Sequence, residues 1–227
     1  MLLSDLEKNL NIKFSDRTLL RTALTHRSYL NEHPEYKGES NERLEFLGDA
    51  VLELTVSCYL FKSFPKLPEG QLTVLRSAIV STKTLAKVAK SLNLGQFLFL
   101  AKGEEKGGGR SNTTLLANTV EAVIGAIFLD QGLEPVQNFI KEHILALLPQ
   151  IIKSGAYKDP KSKLQEIVQG KFKNPPIYQV IKEEGPDHAK VFTVAVYVDS
   201  KKLGQGKGLS KQEAEEEAAQ KALAKIG

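Results

Sequence analysis

The spacing of apolar residues predicts helices along most of residues 1–150. Apolar positions recur three and four residues apart, which is the period of a helix with one buried face, and no segment alternates as a strand does. Residues 15–30 are predicted to form one helical stretch, with Ser15 as its candidate cap. Pro and Gly separate the later helices, and the Gly-rich residues 102–112 are predicted to be a long flexible loop. We therefore expect an all-helical domain.

The pattern changes after residue 150. Residues 151–158 lose the helical period and are predicted to be a short linker. In residues 159–227 a helical segment precedes two alternating, β-branched segments, a Gly-rich third strand and a strong final helix. This order predicts a small α+β domain of the form α-β-β-β-α. The expected fold is therefore multidomain, with the all-α domain first.

The predicted helix NERLEFLGDAVLEL, residues 41–54, has two unlike faces. At about 100° per residue, four acids (Glu42, Glu45, Asp49 and Glu53) share an arc about 80° wide, and leucines and a valine cover the far side. Like charges three or four residues apart destabilise a helix by roughly 0.2–0.5 kcal/mol per pair, and partial burial adds to that cost. A positive group facing the stripe would remove the cost. Glu53, taken alone, is interpreted as a solvated surface acid.

A second predicted helix, LLANTVEAVIGAIFLD, carries a polar pair on an otherwise apolar surface. Asn118 and Glu121 are three residues apart and share a face. Convergence of this pair with Glu45 and Asp49 would form an oxygen-rich cluster that requires a cation. Hard oxygen ligands without Cys or paired His suit Mg²⁺ or Mn²⁺ and argue against zinc. Such a site indicates phosphodiester chemistry, in which the ion polarises phosphoryl oxygens and activates a water.

Composition narrows the class of protein. The 227 residues carry a net charge of +4 and a pI near 9.0. Residues 156–227 hold 13 Lys and Arg against 10 Asp and Glu, whereas the rest of the chain holds 18 against 17, so a polyanionic partner is favoured for the smaller domain. Neither an unbroken apolar run of about 18 residues nor a signal-peptide pattern occurs, so we expect a cytoplasmic protein without a membrane partner. The single cysteine, Cys58, excludes an internal disulfide and is expected to be buried.

Two groups of motifs resemble known domains. ERLEFLGDAVLE closely resembles the signature of the ribonuclease III family, and LTHRSY and EAVIGAIFLDQG match its neighbouring blocks in order and spacing. The tail, with DPKSKLQEIVQ, GPDHAKVFTVAVYV, GQGKG and SKQEAEEEAAQKAL, resembles a double-stranded-RNA-binding domain. The resemblance implies a homodimer in which each Mg²⁺-dependent acidic site cuts one strand of an RNA duplex. It also implies 5′-phosphate and 3′-hydroxyl ends, short 3′ overhangs, and ribosomal RNA precursors and other structured RNAs as substrates.

The same resemblance assigns roles within the acidic cluster. Glu45, Asp49 and Glu121 would hold the metal, with Asp49 and Glu121 as catalytic residues and Glu42 in support. Phe46 would enter the partner subunit at the dimer interface. The alternative for Phe46 is ordinary packing in the core of its own chain.

Asn118 departs from the family pattern, which usually has Asp at this position. Its carbonyl oxygen can accept a hydrogen bond from a metal-bound water, so we include it in the metal site, but it supplies no charge. This departure leaves open a non-catalytic double-stranded-RNA-binding protein on the same scaffold. The retained acids favour catalysis, because acids without a metal only repel phosphate. A carboxylate-bridged iron oxidase is disfavoured, since no Glu-x-x-His pair occurs.

In the second domain, analogy assigns the RNA contacts. Gln165 and Glu166 on the first helix are expected to meet one minor groove and His188 the next, since duplex RNA is recognised by shape, ribose and phosphate. Lys211, at the start of the last helix, is expected to face phosphates, aided by Lys207 and by the positive end of that helix.

Three further residues have two interpretations each. His26 in LTHRSY is either a general base or a polar side chain that fixes helix packing, and we favour the second because a metal can supply hydroxide. Lys106 and Arg110 in the Gly-rich segment are either phosphate contacts or solvated.

Overall fold

The computed structural model describes residues 2–154, 160–171, 174–186 and 190–226. It divides into two compact units, Met1–Tyr157 and Lys158–Gly227. The described part of the first unit is helical apart from turns and one isolated bridge, and that of the second is a three-stranded antiparallel sheet with two helices. The predicted fold class is therefore confirmed.

The first unit follows the predicted helical order, with differences near its start. Its helices are α1 (Leu3–Leu10), α2 (Arg17–Ala23), α3 (Arg27–Glu32), α4 (Glu42–Ser63), α5 (Glu69–Ile79), α6 (Thr82–Ser91), α7 (Lys102–Lys106), α8 (Thr113–Gln131), α9 (Leu133–His143) and α10 (Leu148–Ser154). Residues 15–30 form two helices, because the chain between them pairs Thr25 with Phe99 in a parallel bridge. Asp16, and not Ser15, caps α2, and its carboxylate accepts a hydrogen bond from the Thr18 N–H at 2.8 Å.

The Gly-rich segment 102–112 is not the long loop that the sequence predicts. It forms α7 and a 3₁₀ turn, Gly109–Ser111. The Arg110 guanidinium donates to three backbone carbonyl oxygens at 3.0–3.2 Å and to the Glu105 carboxylate at 2.6 Å. Arg110 therefore fastens this segment to the domain, which makes a solvated or phosphate-binding role for it wrong.

Helices α4 and α8 cross at unusually short range in the centre of the unit. A Cβ atom on Gly48 of α4 would lie 1.7 Å from the backbone oxygen of Glu121 on α8. A Cβ atom on Gly125 of α8 would lie 2.3 Å from the backbone oxygen of Leu44. Only glycine at both positions allows this approach, which sets the polar faces of the two helices side by side.

Helix α8 has the length and apolar composition of a membrane-spanning helix. Most of its residues between Leu116 and Ile127 are nevertheless buried inside the unit, against α2, α4, α6 and α9. Its apolar character is therefore explained by its central place in the core.

Gly48→Ala is expected to destabilise the first unit by about 3 kcal/mol, because the added methyl group must push α4 and α8 apart. Thermal unfolding followed by circular dichroism measures the change. Gly70→Ala on α5 is the matched control, since a Cβ atom there meets nothing within 4 Å. Equal melting temperatures for the two variants would contradict the close crossing.

The second unit has the predicted α-β-β-β-α order. Its elements are α11 (Pro160–Lys171), β1 (Ile177–Glu184), β2 (Val191–Val198), β3 (Lys201–Gly208) and α12 (Lys211–Ile226). The sheet order is β1-β2-β3, and Leu164 and Val168 of α11 join Val196 and Val198 of β2 in a small core with alanines of α12.

The Gly-rich strand β3 packs directly on α12. A Cβ atom on Gly206 would lie 2.3 Å from the backbone oxygen of Ala214 and 2.4 Å from the nitrogen of Ala218. Small residues on both elements thus allow close contact between strand and helix.

The acidic residues in the first half of α12 do more than face solvent. Glu213 accepts a hydrogen bond from the Leu209 N–H at 2.8 Å, and Glu217 accepts one from the Lys207 N–H. These acids therefore hold the end of β3 against α12.

Candidate active site

A cleft of about 580 Å³ lies between α4 and α8. Its walls include the polar side chains that the sequence predicts to converge. These are Glu42, Glu45 and Asp49 from α4 and Asn118 and Glu121 from α8, with Phe46 beside them. Glu53 is not part of the cleft wall.

The glycine crossing explains why these side chains meet. Gly48 contacts the backbone of Glu121, so Asp49, the next residue, and Glu45, one turn earlier, lie close to the Glu121 side chain. Asn118 lies one turn before Glu121 and reaches Glu45. The sequence signal for this geometry is the single glycine in each of these two apolar helices.

The acids of the cleft oppose one another's ionisation. Burial, followed by the charges of Asp49 and Glu45, raises the pKa of Glu121 from 4.5 to about 7. Burial also raises the pKa of Glu45, with Glu42 and Asp49 adding to the effect. The cleft thus favours a bound cation, which would offset this repulsion.

Asn118 acts on Glu45 as a hydrogen-bond donor. Its side chain bonds to the Glu45 carboxylate, which lowers the pKa of Glu45 and partly opposes the effect of burial. An Asp at this position would instead add another negative charge. Asn118 therefore makes the metal-free cluster less repulsive.

The donor set of the cleft consists of hard oxygen atoms, which fits Mg²⁺ or Mn²⁺. Within the described part of the chain, no three Asp, Glu, His or Cys side chains lie close enough to hold one ion as they stand. Mg²⁺ typically takes one or two protein carboxylates directly and keeps several waters. Glu45, Asp49 and Glu121 match that kind of partly hydrated site better than a fully protein-coordinated one.

His26 begins α3 as its cap. Its Nδ1 accepts a hydrogen bond from the Ser28 N–H at 3.3 Å and lies 2.8 Å from the Ser28 hydroxyl oxygen. Burial, the largest influence, lowers the pKa of His26. These contacts agree with the helix-packing interpretation, although the residue also lines the cleft.

Two cleft residues were missed by the sequence interpretation. Arg27 follows His26, and its Nη1 lies 3.7 Å from Oε1 of Glu42. Asn41 directly precedes α4 and is buried in the cleft wall. Their places inside the LTHRSY and NERLEF motifs were the available signal.

Phe46 begins an exposed apolar stripe along α4. It is 81% exposed, so packing in the core of its own chain is wrong. At 100° per residue, Ala50, Leu54, Cys58 and Phe61 fall within about 120° of the same direction, and all are exposed. Cys58 is therefore not the buried thiol expected from the sequence. The stripe lies directly beside the acidic face of the same helix.

In the second unit the predicted RNA contacts lie on separate elements. Gln165 is exposed on α11, Lys207 is exposed on β3, and Lys211 is exposed at the first position of α12. The Lys211 Nζ lies 3.7 Å from Oε1 of Glu183 and 5.5 Å from the centre of the Phe192 ring.

Of the other two predicted RNA contacts, Glu166 lies within α11 and His188 lies outside the described residues.

Comparison with known proteins divides the chain in the same way. Residues 16–148 match the family model Ribonuclease-III-like, and residues 160–226 match the model Double-stranded RNA binding motif. The chain is 46% identical over 220 residues to Ribonuclease 3 of Pelotomaculum thermopropionicum, covering 97% of this chain and 91% of that relative. It is 48% identical over 225 residues to Ribonuclease 3 of Geobacillus sp., covering 98% and 90%. A solved nuclease domain of ribonuclease III from Campylobacter jejuni, described as flexible in a region involved in dimer formation, matches with a TM-score of 0.60 and 44% identity, over 65% of this chain and 99% of that one.

Proposed function

The chain belongs to the ribonuclease III family, and from that membership and the acidic cleft we infer that it cleaves double-stranded RNA by Mg²⁺-dependent phosphodiester hydrolysis. Mn²⁺ is expected to substitute. The products have 5′-phosphate and 3′-hydroxyl ends with short 3′ overhangs, and the substrates are ribosomal RNA precursors and other structured RNAs in the cytoplasm.

The observation that carries this proposal is the convergence of Glu45, Asp49 and Glu121 in one cleft. A protein that only bound RNA would gain nothing from acids that repel phosphate and raise one another's pKa. A divalent cation reverses that repulsion and attracts the phosphodiester.

We propose for the side chains the roles that the family resemblance implies. Glu45, Asp49 and Glu121 would hold the ion, in part through its bound waters, and Asp49 and Glu121 would act in catalysis. Asn118 would accept a hydrogen bond from a metal-bound water through its carbonyl oxygen, while its amide bonds to Glu45. When bound, the ion supplies Lewis-acid polarisation of a phosphoryl oxygen and a water of lowered pKa. Glu42, exposed at the first position of α4, supports the acidic face without being buried in it.

We also propose that the protein is a homodimer joined through the apolar stripe of α4. Phe46 and Phe61, at the two ends of the stripe, are 81% and 73% exposed, which is costly in water for side chains of this size. A twofold axis through the stripe would place the stripe of one copy against the same stripe of the other, so the two surfaces are alike and can pack together. Since the stripe adjoins the acids, the axis would bring two clefts to one duplex, one for each strand.

The second unit supports duplex RNA as the partner. Gln165 and Glu166 on α11, His188 before β2, and Lys207 and Lys211 around the start of α12 are proposed to bind two successive minor grooves and the phosphates between them. For this proposal the nuclease domain spans residues 1–150, the linker 151–158 and the RNA-binding domain 159–227. Helix α10 continues into that linker as far as Ser154.

Incubation of the purified protein with a labelled RNA duplex, with and without Mg²⁺, tests the proposal. We expect cleavage only with the metal. Duplex binding in a gel-shift assay without any Mg²⁺-dependent cleavage would instead support the non-catalytic alternative, which Asn118 alone favours.

Asn118→Asp is expected to lower the Mg²⁺ concentration needed for half-maximal cleavage by about tenfold, since a carboxylate would replace a neutral group beside the ion. Metal titrations of the cleavage rate measure this. Asn112→Asp is the matched control, because Asn112 caps α8 outside the cleft and Asp is equally suited to capping. If the two variants require the same Mg²⁺ concentration, position 118 does not belong to the metal site.

A further inference from the structure

One margin of the cleft, at the start of α4, carries hydrogen-bond donors beside the first-turn acids Glu42 and Glu45. Asn41 is only 4% exposed, lines the cleft and makes no side-chain hydrogen bond within residues 2–154. Among the described residues, the Asn41 side chain has no polar atom that is both fully enclosed and without a partner, so its amide reaches the open cleft. There it is free to bind water or a ligand.

Arg27 lies on the same margin. Among residues 2–154 it is the only Lys or Arg that lines the cleft, and its side chain is 72% exposed. Its 3.7 Å ion pair with Glu42 is longer than a hydrogen bond and is open to solvent, so it holds the guanidinium only weakly. The planar guanidinium offers several donors in a geometry that suits phosphate.

A backbone hydrogen bond joins the segments that carry Asn41 and Arg27. The Asn41 backbone N–H donates to the carbonyl oxygen of Thr25 at 2.8 Å, which joins the segment before α3 to the start of α4. The first turn of α4 has no side-chain cap, so the positive end of this 22-residue helix adds to the field at the same place. An amide, a guanidinium and a helix N-terminus thus lie together at one margin of the cleft, next to Glu42 and Glu45.

We propose that Asn41 and Arg27 bind one phosphate of the RNA strand adjacent to the phosphate that is cut. This inference rests on the proposed function and deepens it, because it assigns a binding subsite to the same cleft. The acids repel an RNA strand wherever the cation does not screen them, whereas the donors of Asn41 and Arg27 attract it. The strand is therefore held from one side and in one register, and Arg27 exchanges its weak contact with Glu42 for a phosphate when RNA arrives.

Binding of a labelled blunt-ended RNA duplex, measured at several salt concentrations in a Glu121→Gln background with Mg²⁺, tests the subsite without cleavage. Arg27→Gln and Asn41→Ala are each expected to weaken binding by about tenfold or more. Arg27→Gln should also make the slope of log affinity against log salt shallower by about one unit. Lys90→Gln is the matched control for the lost charge, because Lys90 is exposed on α6 outside the cleft.

Asn41→Asp separates hydrogen bonding from folding. Asp has the shape of Asn and is equally favourable at the start of a helix, but it cannot donate and it repels phosphate. We expect a melting temperature like that of the unaltered protein together with RNA binding weaker than that of Asn41→Ala. Binding equal to that of the unaltered protein would overturn the assignment of Asn41.

Measuring the effect of Arg27→Gln on duplex binding again, now in a Glu42→Gln background, separates phosphate binding by Arg27 from a merely structural role. If Arg27 only orients Glu42, Arg27→Gln has no further effect there, and the proposal is wrong for Arg27. If Arg27 binds phosphate, the affinity loss and the shallower salt slope persist.

Failure of the proposed phosphate subsite can be distinguished from failure of the proposed enzyme activity. Cleavage by the unaltered protein with no affinity loss in Arg27→Gln and Asn41→Ala refutes only the subsite. Affinity loss in both variants without any cleavage by the unaltered protein refutes the proposed enzyme and supports the subsite.

Discussion

Glu121→Gln is expected to reduce Mg²⁺-dependent cleavage of an RNA duplex by at least about a hundredfold. Loss of a group that only supports a metal ligand already costs 10–100-fold, and Glu121 is proposed to be a ligand itself. Gln keeps the size and shape of the side chain but removes its charge, so the packing against Gly48 is preserved. Duplex binding is expected to change little, because most of the attraction is proposed to come from the second unit and the cleft margin.

Single-turnover cleavage and gel-shift assays on the same preparation separate the two effects. Glu53→Gln is the matched control, since Glu53 lies on α4 and has the same charge but does not line the cleft. Cleavage by Glu121→Gln at the rate of Glu53→Gln would contradict the assigned site.

The same variant should stabilise the metal-free protein at neutral and higher pH. The pKa of Glu121 in the folded protein, about 7, lies above its ordinary value of 4.5, so ionised Glu121 destabilises the folded state. This penalty is fully present above pH 7 and disappears as the pH falls toward 4.5. Allowing for solvent screening of a half-buried group, we expect a gain of about 1–2 kcal/mol for Glu121→Gln at pH 8 in a chelator and almost none at pH 5. Thermal melts at the two pH values measure the difference.

The sequence predicted the members of the cleft better than their geometry. Helical periodicity placed Glu45 and Asp49 on one face and Asn118 and Glu121 on another, because a 3.6-residue period depends only on local spacing. Which faces meet depends on the distance between α4 and α8. That distance is determined by Gly48, whose missing side chain leaves no hydrophobic signal in the sequence.

Asn41 and Arg27 were missed for a different reason. Periodicity identifies charged residues that interrupt an apolar face, whereas these two lie in the first residues of helices, where polar side chains are ordinary. Only its burial in the folded protein distinguishes Asn41 from a surface amide. Arg110 shows the opposite error. The sequence left either a phosphate contact or a solvated side chain for it, whereas its guanidinium binds backbone carbonyl oxygens.

The fold was predictable wherever one local signal dominated. The α-β-β-β-α order was predicted from the change of hydrophobic period after residue 150. Helices α4 and α8 were predicted from long runs of apolar residues at helical spacing. The break between α2 and α3 was not predictable from that signal, because it depends on the bridge between Thr25 and Phe99, residues far apart in sequence. The acids of α12 likewise gained their role only through contact with β3.

Phe46→Glu is expected to convert the proposed dimer to a monomer, with a dissociation constant raised by at least about thirtyfold. A large aromatic side chain that anchors an interface can contribute about 2 kcal/mol or more, and a buried, unpaired carboxylate adds a desolvation cost. Because Phe46 is 81% exposed in the single chain, the folded monomer itself should remain stable. Analytical ultracentrifugation over a concentration series measures the change, and Leu2→Glu is the control, since Leu2 is 70% exposed but lies outside α4.

Phe61→Glu distinguishes loss of the interface from damage to the cleft. Phe46 lines the cleft as well as the apolar stripe, whereas Phe61 lies at the far end of the stripe and does not line the cleft. If the stripe joins two subunits, both variants become monomeric, and both lose paired cutting of the two strands because one cleft can act on only one strand at a time. A Phe46→Glu variant that remains dimeric alongside a dimeric Phe61→Glu variant would refute the stripe as the interface. Two monomeric variants with an unaltered metal requirement would place the interface on α4 and leave the chemistry within each cleft.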